Sequence, residues 1–365
     1  MIGRVAGIAA GVAGLVALTG GVAAVAGTAS AVPPAQAWHI VKQVRSGPAG
    51  DFTAVVATGR DSAWAFNGNA VADPDTVPTA WRRTGNTWTR VAFPGRRGEQ
   101  VVAAEATSPS DLWAFTDVGA GSRVLRWDGH RWSVVRTFPA PIGGASVAGR
   151  DDVWVFGQPG ITEQLGAWHY DGDTWTRAGV GLDGGSALSA ADVWAFHGTS
   201  VDHYNGRRWA STNVAALLPR RQPGFNDPLV TGIYAQSPDS VYAIGNGNLQ
   251  DEGGPTVVLH YDGRTWRRVA EGSFGYGTDP SQQIGPDGRG GLWLAMPGYD
   301  GQHSYLVHYS AGRLTTAALP HSPLGIDVES LAHVPGSTEM LGGGFTHARG
   351  NPSVGVTAVI LHYGA

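Results

Sequence analysis

The sequence predicts an all-β fold: a seven-bladed β-propeller closed by pairing of its N-terminal and C-terminal strands. Three observations carry the prediction. A short phrase leading into an aromatic-rich strand recurs at blade-sized intervals, a second phrase built on a Gly turn and a Trp-led strand recurs between its copies, and the two ends of the chain hold complementary parts of one repeat.

The first phrase is clearest in Asp111-Leu112-Trp113-Ala114-Phe115, Asp152-Val153-Trp154-Val155-Phe156 and Asp192-Val193-Trp194-Ala195-Phe196, with weaker copies from Ser62, Ser240, Gly291 and Thr338. Its central residues are Trp64, Trp113, Trp154, Trp194, Tyr242, Trp293 and Met340, each 40 to 51 residues from the next. In the Asp152 copy, Trp154 and Phe156 point one way and Val153 and Val155 the other, so the strand is apolar on both faces. A strand buried on both sides fits sheets stacked around an axis better than an open sandwich.

The second phrase is seen in Trp127-Asp128-Gly129-His130-Arg131-Trp132 and His260-Tyr261-Asp262-Gly263-Arg264-Thr265-Trp266, and again at His169–Trp175 and His203–Trp209, with degenerate copies at Arg82–Trp88 and His308–Leu314. Asp-Gly and Asn-Gly between such runs mark hairpins, because these residues tolerate the positive φ of tight turns. Each repeat then holds four strands, in the third case Gly144–Gly149, Val153–Gln158, Ala167–Asp171 and Thr174–Val180.

The chain ends on Val359-Ile360-Leu361-His362-Tyr363, a third strand that stops at its hairpin. Its missing fourth strand has the pattern of Trp38-His39-Ile40-Val41-Lys42-Gln43-Val44, which has no earlier partner of its own. Pairing the two removes two exposed sheet edges and completes blade seven. A six-bladed ring is the alternative if Thr338–Gly344 is not a strand.

Residues 1–37 read as a secretory signal and residues 38–365 as the propeller. Arg4 precedes a long Ala, Gly, Val and Leu run, and Ala29-Ser30-Ala31 and Ala35-Gln36-Ala37 both fit a small-residue cleavage site. Cleavage after Ala37 frees Trp38 to pair and is the preferred reading; cleavage after Ala31 and an uncleaved anchor are the alternatives. The expected product is secreted, extracellular and monomeric, with no membrane contact once the signal is removed.

With no Cys, disulfides, thiolate nucleophiles and Cys-ligated zinc are excluded, and stability rests on packing. Lys and Arg number 25 against 29 Asp and Glu, a balance that argues against nucleic acid as a partner. Gly-rich phosphate loops, His-Glu-x-x-His and Gly-x-Ser-x-Gly are absent from the sequence, and no cofactor or metal is expected. Asp251-Glu252 and Asp73-x-Asp75 offer oxygen ligands but lack EF-hand spacing, so they read as solvated acidic loops.

The Asp-Val-Trp-Ala and Asp-Gly-x-x-Trp phrases resemble those of secreted bacterial β-propeller repeat proteins, loosely kelch-like and BNR-like, over Trp38–Ala365. The resemblance implies the fold and says little about activity, since propellers host binding modules and enzymes alike. The sialidase Asp-box spacing fails here, with Asp171 and Gly172 adjacent, and the Cys of a galactose oxidase cofactor is missing.

His169, His203, His260, His308 and His362 occupy one repeat position, which Arg82 and Arg126 fill elsewhere, so they are expected to pack and hydrogen-bond rather than ligate. The repeated Asp111, Asp152 and Asp192 are expected to serve turns. Variation concentrates in the two link types that leave one face: Asn67–Thr79, Ser211–Leu229, Gly245–Pro255, Glu271–Asp279, Pro297–His303 and Gly344–Val354. Long loops on a rigid scaffold are where binding residues gather. The candidate ligand-binding residues are Phe225, Phe274, Tyr276, Tyr299, Asp300, His303, Phe345 and His347, rings and polar tips suited to a glycan or an extracellular protein. A non-catalytic binding module is the leading reading; a glycan hydrolase or lyase in the central pocket of the same face is the alternative, although no acid–base pair can be placed by spacing.

Overall fold

The computed structural model describes residues 36–45, 50–68, 73–119, 121–158, 165–221, 227–247, 255–274, 284–296, 304–322, 325–346 and 357–364. These residues form seven four-stranded antiparallel sheets. Blade 1 holds β2 (Phe52–Gly59), β3 (Ser62–Asn67), β4 (Thr79–Thr84) and β5 (Thr87–Val91); blade 2 holds β6 (Gln100–Ser108), β7 (Asp111–Asp117), β8 (Ser122–Trp127) and β9 (Trp132–Phe138). Blade 3 holds β10 (Ile142–Gly149), β11 (Asp152–Gly157), β12 (Ala167–Tyr170) and β13 (Trp175–Gly179); blade 4 holds β14 (Gly184–Ser189), β15 (Asp192–His197), β16 (Ser200–Tyr204) and β17 (Trp209–Asn213). Blade 5 holds β18 (Leu229–Ser237), β19 (Ser240–Asn246), β20 (Pro255–Tyr261) and β21 (Trp266–Ser273); blade 6 holds β22 (Ile284–Pro286), β23 (Leu292–Met296), β24 (Tyr305–Ser310) and β25 (Arg313–Ala317). Blade 7 takes β26 (Ile326–His333), β27 (Met340–Thr346) and β28 (Thr357–Gly364) from the end of the chain and β1 (Ala37–Arg45) from its beginning.

The ring closes as the sequence predicts. Trp38 pairs with Tyr363 and Val44 with Ala358 along β1 and β28, and the first strands of successive blades neighbour one another from β2 round to β26 and back to β2. Trp38 is 3% exposed and stands edge-on to Trp293 of blade 6, with ring centroids 5.5 Å apart. Trp132 meets Trp64 of blade 1 in the same way at 5.6 Å, so each Trp-led fourth strand reaches back onto the preceding blade.

The two-faced apolar strand explains the stacking. On β7, Leu112 and Ala114 join the core shared with blade 1, while Trp113 and Phe115 join the core shared with blade 3. Val153 and Val155 of β11 likewise face blade 2, and Trp154 and Phe156 face blade 4. Period-two alternation thus becomes adhesion to two neighbours, and the core is a series of inter-blade layers.

Blade 7 corrects the reading of its own phase. Wherever the central ring is Trp or Tyr, that residue lies opposite the repeated His or Arg, as Trp154 does with His169 and Trp293 with His308. In blade 7 it is Leu341 that faces His362, while Met340 faces Tyr363. Met340 packs toward blade 6 and Leu341 toward blade 1, so the position equivalent to the Trp is Leu341, one residue beyond the predicted Met340.

The Asp-Gly and Asn-Gly hairpins behave as expected. Asp171 Oδ1 accepts from the N–H groups of Asp173 and Thr174, and Asn205 Oδ1 from those of Arg207 and Arg208. These hydrogen bonds hold the Asp171 carboxyl below its ordinary pKa. At Gly172, φ is 97°, and a Cβ there would lie 2.8 Å from Asp151 Cβ, so the residue is required both by the turn and by the neighbouring β10–β11 turn.

Candidate functional site

Because the strands alternate direction, links between first and second strands and between third and fourth strands leave one face, and the remaining links leave the other. On the short-link face, blades 1 to 5 turn from first to second strand through two residues each, such as Arg60–Asp61 and Arg150–Asp151. The other face carries the longer links, among them those between β17 and β18 and between β21 and β22.

Of the predicted binding residues, Phe274 and Phe345 lie within the described residues, and Phe225, Tyr276, Tyr299, Asp300, His303 and His347 lie outside them. Phe274 is half-buried against the core of Tyr242, Ile244 and Leu292 between blades 5 and 6. Part of its ring therefore pins the link that follows β21. Phe345 is half-buried on β27, between Asp327 of β26 and Ala358 of β28.

The repeated His and Asp residues form a structural stack. His169 Nε2 meets Asp152 Oδ1 at 2.9 Å while its ring lies 4.5 Å from that of Trp154; His203 does the same with Asp192 at 2.9 Å and Trp194 at 4.1 Å. His308 bonds Asp287 at 2.8 Å and stacks on Trp293 at 4.5 Å. Burial would raise the Asp287 carboxyl, but His308 and the N–H groups of Arg289 and Gly291 hold it below its ordinary value. Arg126 fills the same place in blade 2, bonded to Asp111 at 2.7 Å with its guanidinium 4.7 Å from the Trp113 ring centroid. In blade 5 Ser240 replaces the acid, 3.1 Å from His260, and burial shifts His260 toward its neutral form. Arg and His exchange at one position because both present a flat face to a ring and a donor to an acid.

A second pattern, unseen in the sequence, lines the axis. The first strand of each blade is an edge strand whose outward N–H groups need acceptors. Ser146 Oγ of blade 3 accepts from Ala187 N–H of blade 4 at 2.9 Å, and Ser186 Oγ accepts from Ala235 N–H of blade 5 at 3.0 Å. At the equivalent place in blade 2, Glu105 Oε2 accepts from Val147 N–H of blade 3 at 2.6 Å. Ser146, Ser186 and Glu105 lie opposite Trp154, Trp194 and Trp113, the same position of three repeats. Desolvation raises the Glu105 carboxyl from 4.5 to about 7, with the Val147 N–H opposing. A carboxyl so shifted in a ring of strands has the signature of an acid catalyst. Its equivalence to two serines identifies it as an inter-blade hydrogen-bond acceptor.

The long-link face has a buried anchor. Glu99 and Arg123 are buried together: Arg123 Nε donates to Glu99 Oε1 at 2.7 Å, Thr116 Oγ1 donates to the same oxygen at 2.6 Å, and Glu99 Oε2 accepts from Arg96 N–H at 2.7 Å and from Arg123. Arg123 also bonds Pro94 O at 2.8 Å, tying the link into blade 2 to the strands beneath it. A buried ion pair with its donors and acceptors matched restrains that link without leaving a bare charge. Nothing in the spacing of Glu99 and Arg123, on separate elements, announces the pair.

The short-link face carries a pocket of about 430 Å³ bounded by Arg60, Gly288, His333, Ser337, Thr338 and Glu339. It forms where blades 6 and 7 depart from the two-residue turn, through Asp287–Gly291 and Val334–Glu339. Among the described residues, no group of three or more His, Asp or Glu could hold a metal ion.

No family model matches the chain, and no curated protein matches it. Solved structures do. YCF48 bound to D1 peptide is similar with a TM-score of 0.54 at 11% identity, covering 90% of this chain and 97% of that one. The WD40 repeats of RRP9 give 0.57 at 12% identity, over 89% and 97%. The β-propeller domain of Cps50 (Swd1) from Myceliophteria thermophila gives 0.56 at 12% identity, over 88% and 99%. At these identities the likeness shows a β-propeller fold and nothing finer.

Proposed function

We propose that this chain is an exported, non-catalytic binding module that recognises an extracellular protein or a glycan through its long-link face. The observation that carries the reading is the asymmetry of the links: the repeated acids and histidines are engaged in holding blades, and most of the variation in link length lies on one side of the ring. One propeller of similar fold is a peptide complex, YCF48 with D1 peptide, which favours a protein partner. Phe225, Phe274, Tyr276, Tyr299, Asp300, His303, Phe345 and His347 are the proposed contacts.

The purified chain is to be screened against polysaccharides and extracellular proteins, scoring retention and product release. With a retained ligand, Tyr276→Ala combined with Tyr299→Ala weakens binding by about 1 to 3 kcal/mol and leaves the melting temperature near wild type. Unchanged affinity moves the site to another blade, and release of product makes the protein an enzyme.

Export is part of the same reading. Ala37 pairs with Gly364 and Gln36 Nε2 donates to Thr338 Oγ1 at 2.9 Å, contacts that cleavage after Ala31 keeps and cleavage after Ala37 removes. N-terminal sequencing of secreted protein is expected to begin at Trp38, with β1 pairing without those two contacts; a start at Val32 keeps them and moves the cleavage site to Ala31, and a retained Met1 removes cleavage from the proposal.

A further inference from the structure

The pocket lies on the short-link face and is made by the two turns that break the repeat. Both turns are internally braced. Asp287 Oδ1 accepts from Arg289 N–H at 2.7 Å and Gly291 N–H at 2.8 Å. In the other turn, Ser337 Oγ donates to Val334 O at 2.8 Å and accepts from Glu339 N–H at 3.0 Å, and His333 Nε2 donates to Ser337 O at 2.7 Å. The turns meet at Gly288, where φ is 73° and a Cβ would lie 2.8 Å from His333 Nε2 and closer still to Ser337 O. The walls are therefore fixed before any ligand arrives, which lowers the entropy lost on binding.

The lining is polar and carries both signs. Arg60, exposed in the blade 1 turn, has no hydrogen bond or ion pair among the described residues. Thr338 Oγ1 accepts from Gln36, which leaves its own proton to donate. Glu339 sends Oε2 toward His362 at 3.2 Å, and its side chain is 33% exposed. A small anion drawn to Arg60 meets the Glu339 charge in the same pocket. A peptide satisfies both walls: a carboxylate for the guanidinium, and main-chain N–H groups for the acceptors opposite.

We propose that this pocket is a second recognition site, on the face opposite the long links, for an extended acidic segment of a protein partner whose side-chain carboxylate pairs with Arg60. The site does not depend on the function assigned to the other face.

Fluorescence anisotropy with an end-capped, fluorescein-labelled Gly-Glu-Gly-Glu-Gly peptide tests it, with the Gln counterpart, an uncapped Gly pentapeptide and inorganic phosphate as competitors. The acidic peptide binds, more weakly as salt rises, and the other three neither bind nor compete. Arg60→Gln weakens binding about tenfold or more, Arg60→Lys recovers part of the loss, and Arg313→Gln on the rim of blade 6 leaves it unchanged, as does the Tyr276→Ala, Tyr299→Ala double variant. Equal binding of the Gln peptide, an unaltered Arg60→Gln, or an equal loss in Arg313→Gln overturns the proposal. Binding of the uncapped peptide alone makes the pocket a reader of chain termini and overturns the side-chain assignment.

Discussion

Blades 3 and 7 solve one packing problem with different residues. In blade 3, Trp154 fills the layer toward blade 4, His169 stacks on it and Asp152 holds the His. In blade 7 the ring is gone: Leu341 occupies its place, while His362 and Glu339 keep the acid–His contact at 3.2 Å. The register that sets a His or Arg of the third strand opposite the central residue of the second holds in all seven blades, and so defines the repeat more strictly than the ring, which blade 7 lacks, or the acid, which blade 5 replaces with Ser240. What blade 7 lacks in the second strand it recovers in the fourth, where Trp38 enters the layer against Trp293.

The largest break in this comparison comes from Trp38→Ala, expected to lower stability by about 3 to 5 kcal/mol because a fully packed indole leaves the closing layer. Denaturant unfolding checks it, and a midpoint equal to wild type means that β1 does not close the ring. The inner ring offers a second comparison, since blade 2 uses Glu105 where blades 3 and 4 use Ser146 and Ser186. A carboxyl raised from 4.5 to about 7 favours the folded state fully below pH 4.5 and progressively less as pH rises to 7. That change is worth up to about 3 kcal/mol. Unfolding free energies across pH 4 to 8 should flatten in Glu105→Gln, which keeps the acceptor for Val147; an unchanged pH profile assigns the dependence to other groups. A smaller loss, about 1 to 3 kcal/mol, is expected for Asp152→Ala, which strips an acceptor from both His169 and Trp154. If it unfolds at the wild-type midpoint, the stack is ornamental and the ring alone builds blade 3.

Most of the fold was legible because its signals are local. Asp-Gly turns, Trp-led strands and period-two runs each lie within a few residues, and six of seven blades announce themselves through a ring at the center of the second strand. The phase of blade 7 was not, because Met340-Leu341-Gly342-Gly343-Gly344 offers no ring to count from and only the pairing with His362 fixes it. Contacts between distant residues were equally hidden: Glu105 with Val147 joins strands of two blades, and Glu99 with Arg123 joins a link to a strand, with no shared motif. The pocket was missed for a related reason, since it needs turns from three blades brought to one place. Loop length did point to a face, and Phe274 shows its limit, as an aromatic in a long link is also an anchor.

Closure by β1 also sets an order of events. A chain emerging amino end first presents β1 before any partner exists and β28 after every other strand of the ring, so the β1–β28 pairing, from Ala37 with Gly364 onward, is the most non-local strand pairing among the described residues. Topologies that depend on such contacts fold slowly. Until the last strand arrives, β1 is an unpaired strand able to join the blade 7 of another copy, making crowding during synthesis the moment at which strand exchange competes with closure.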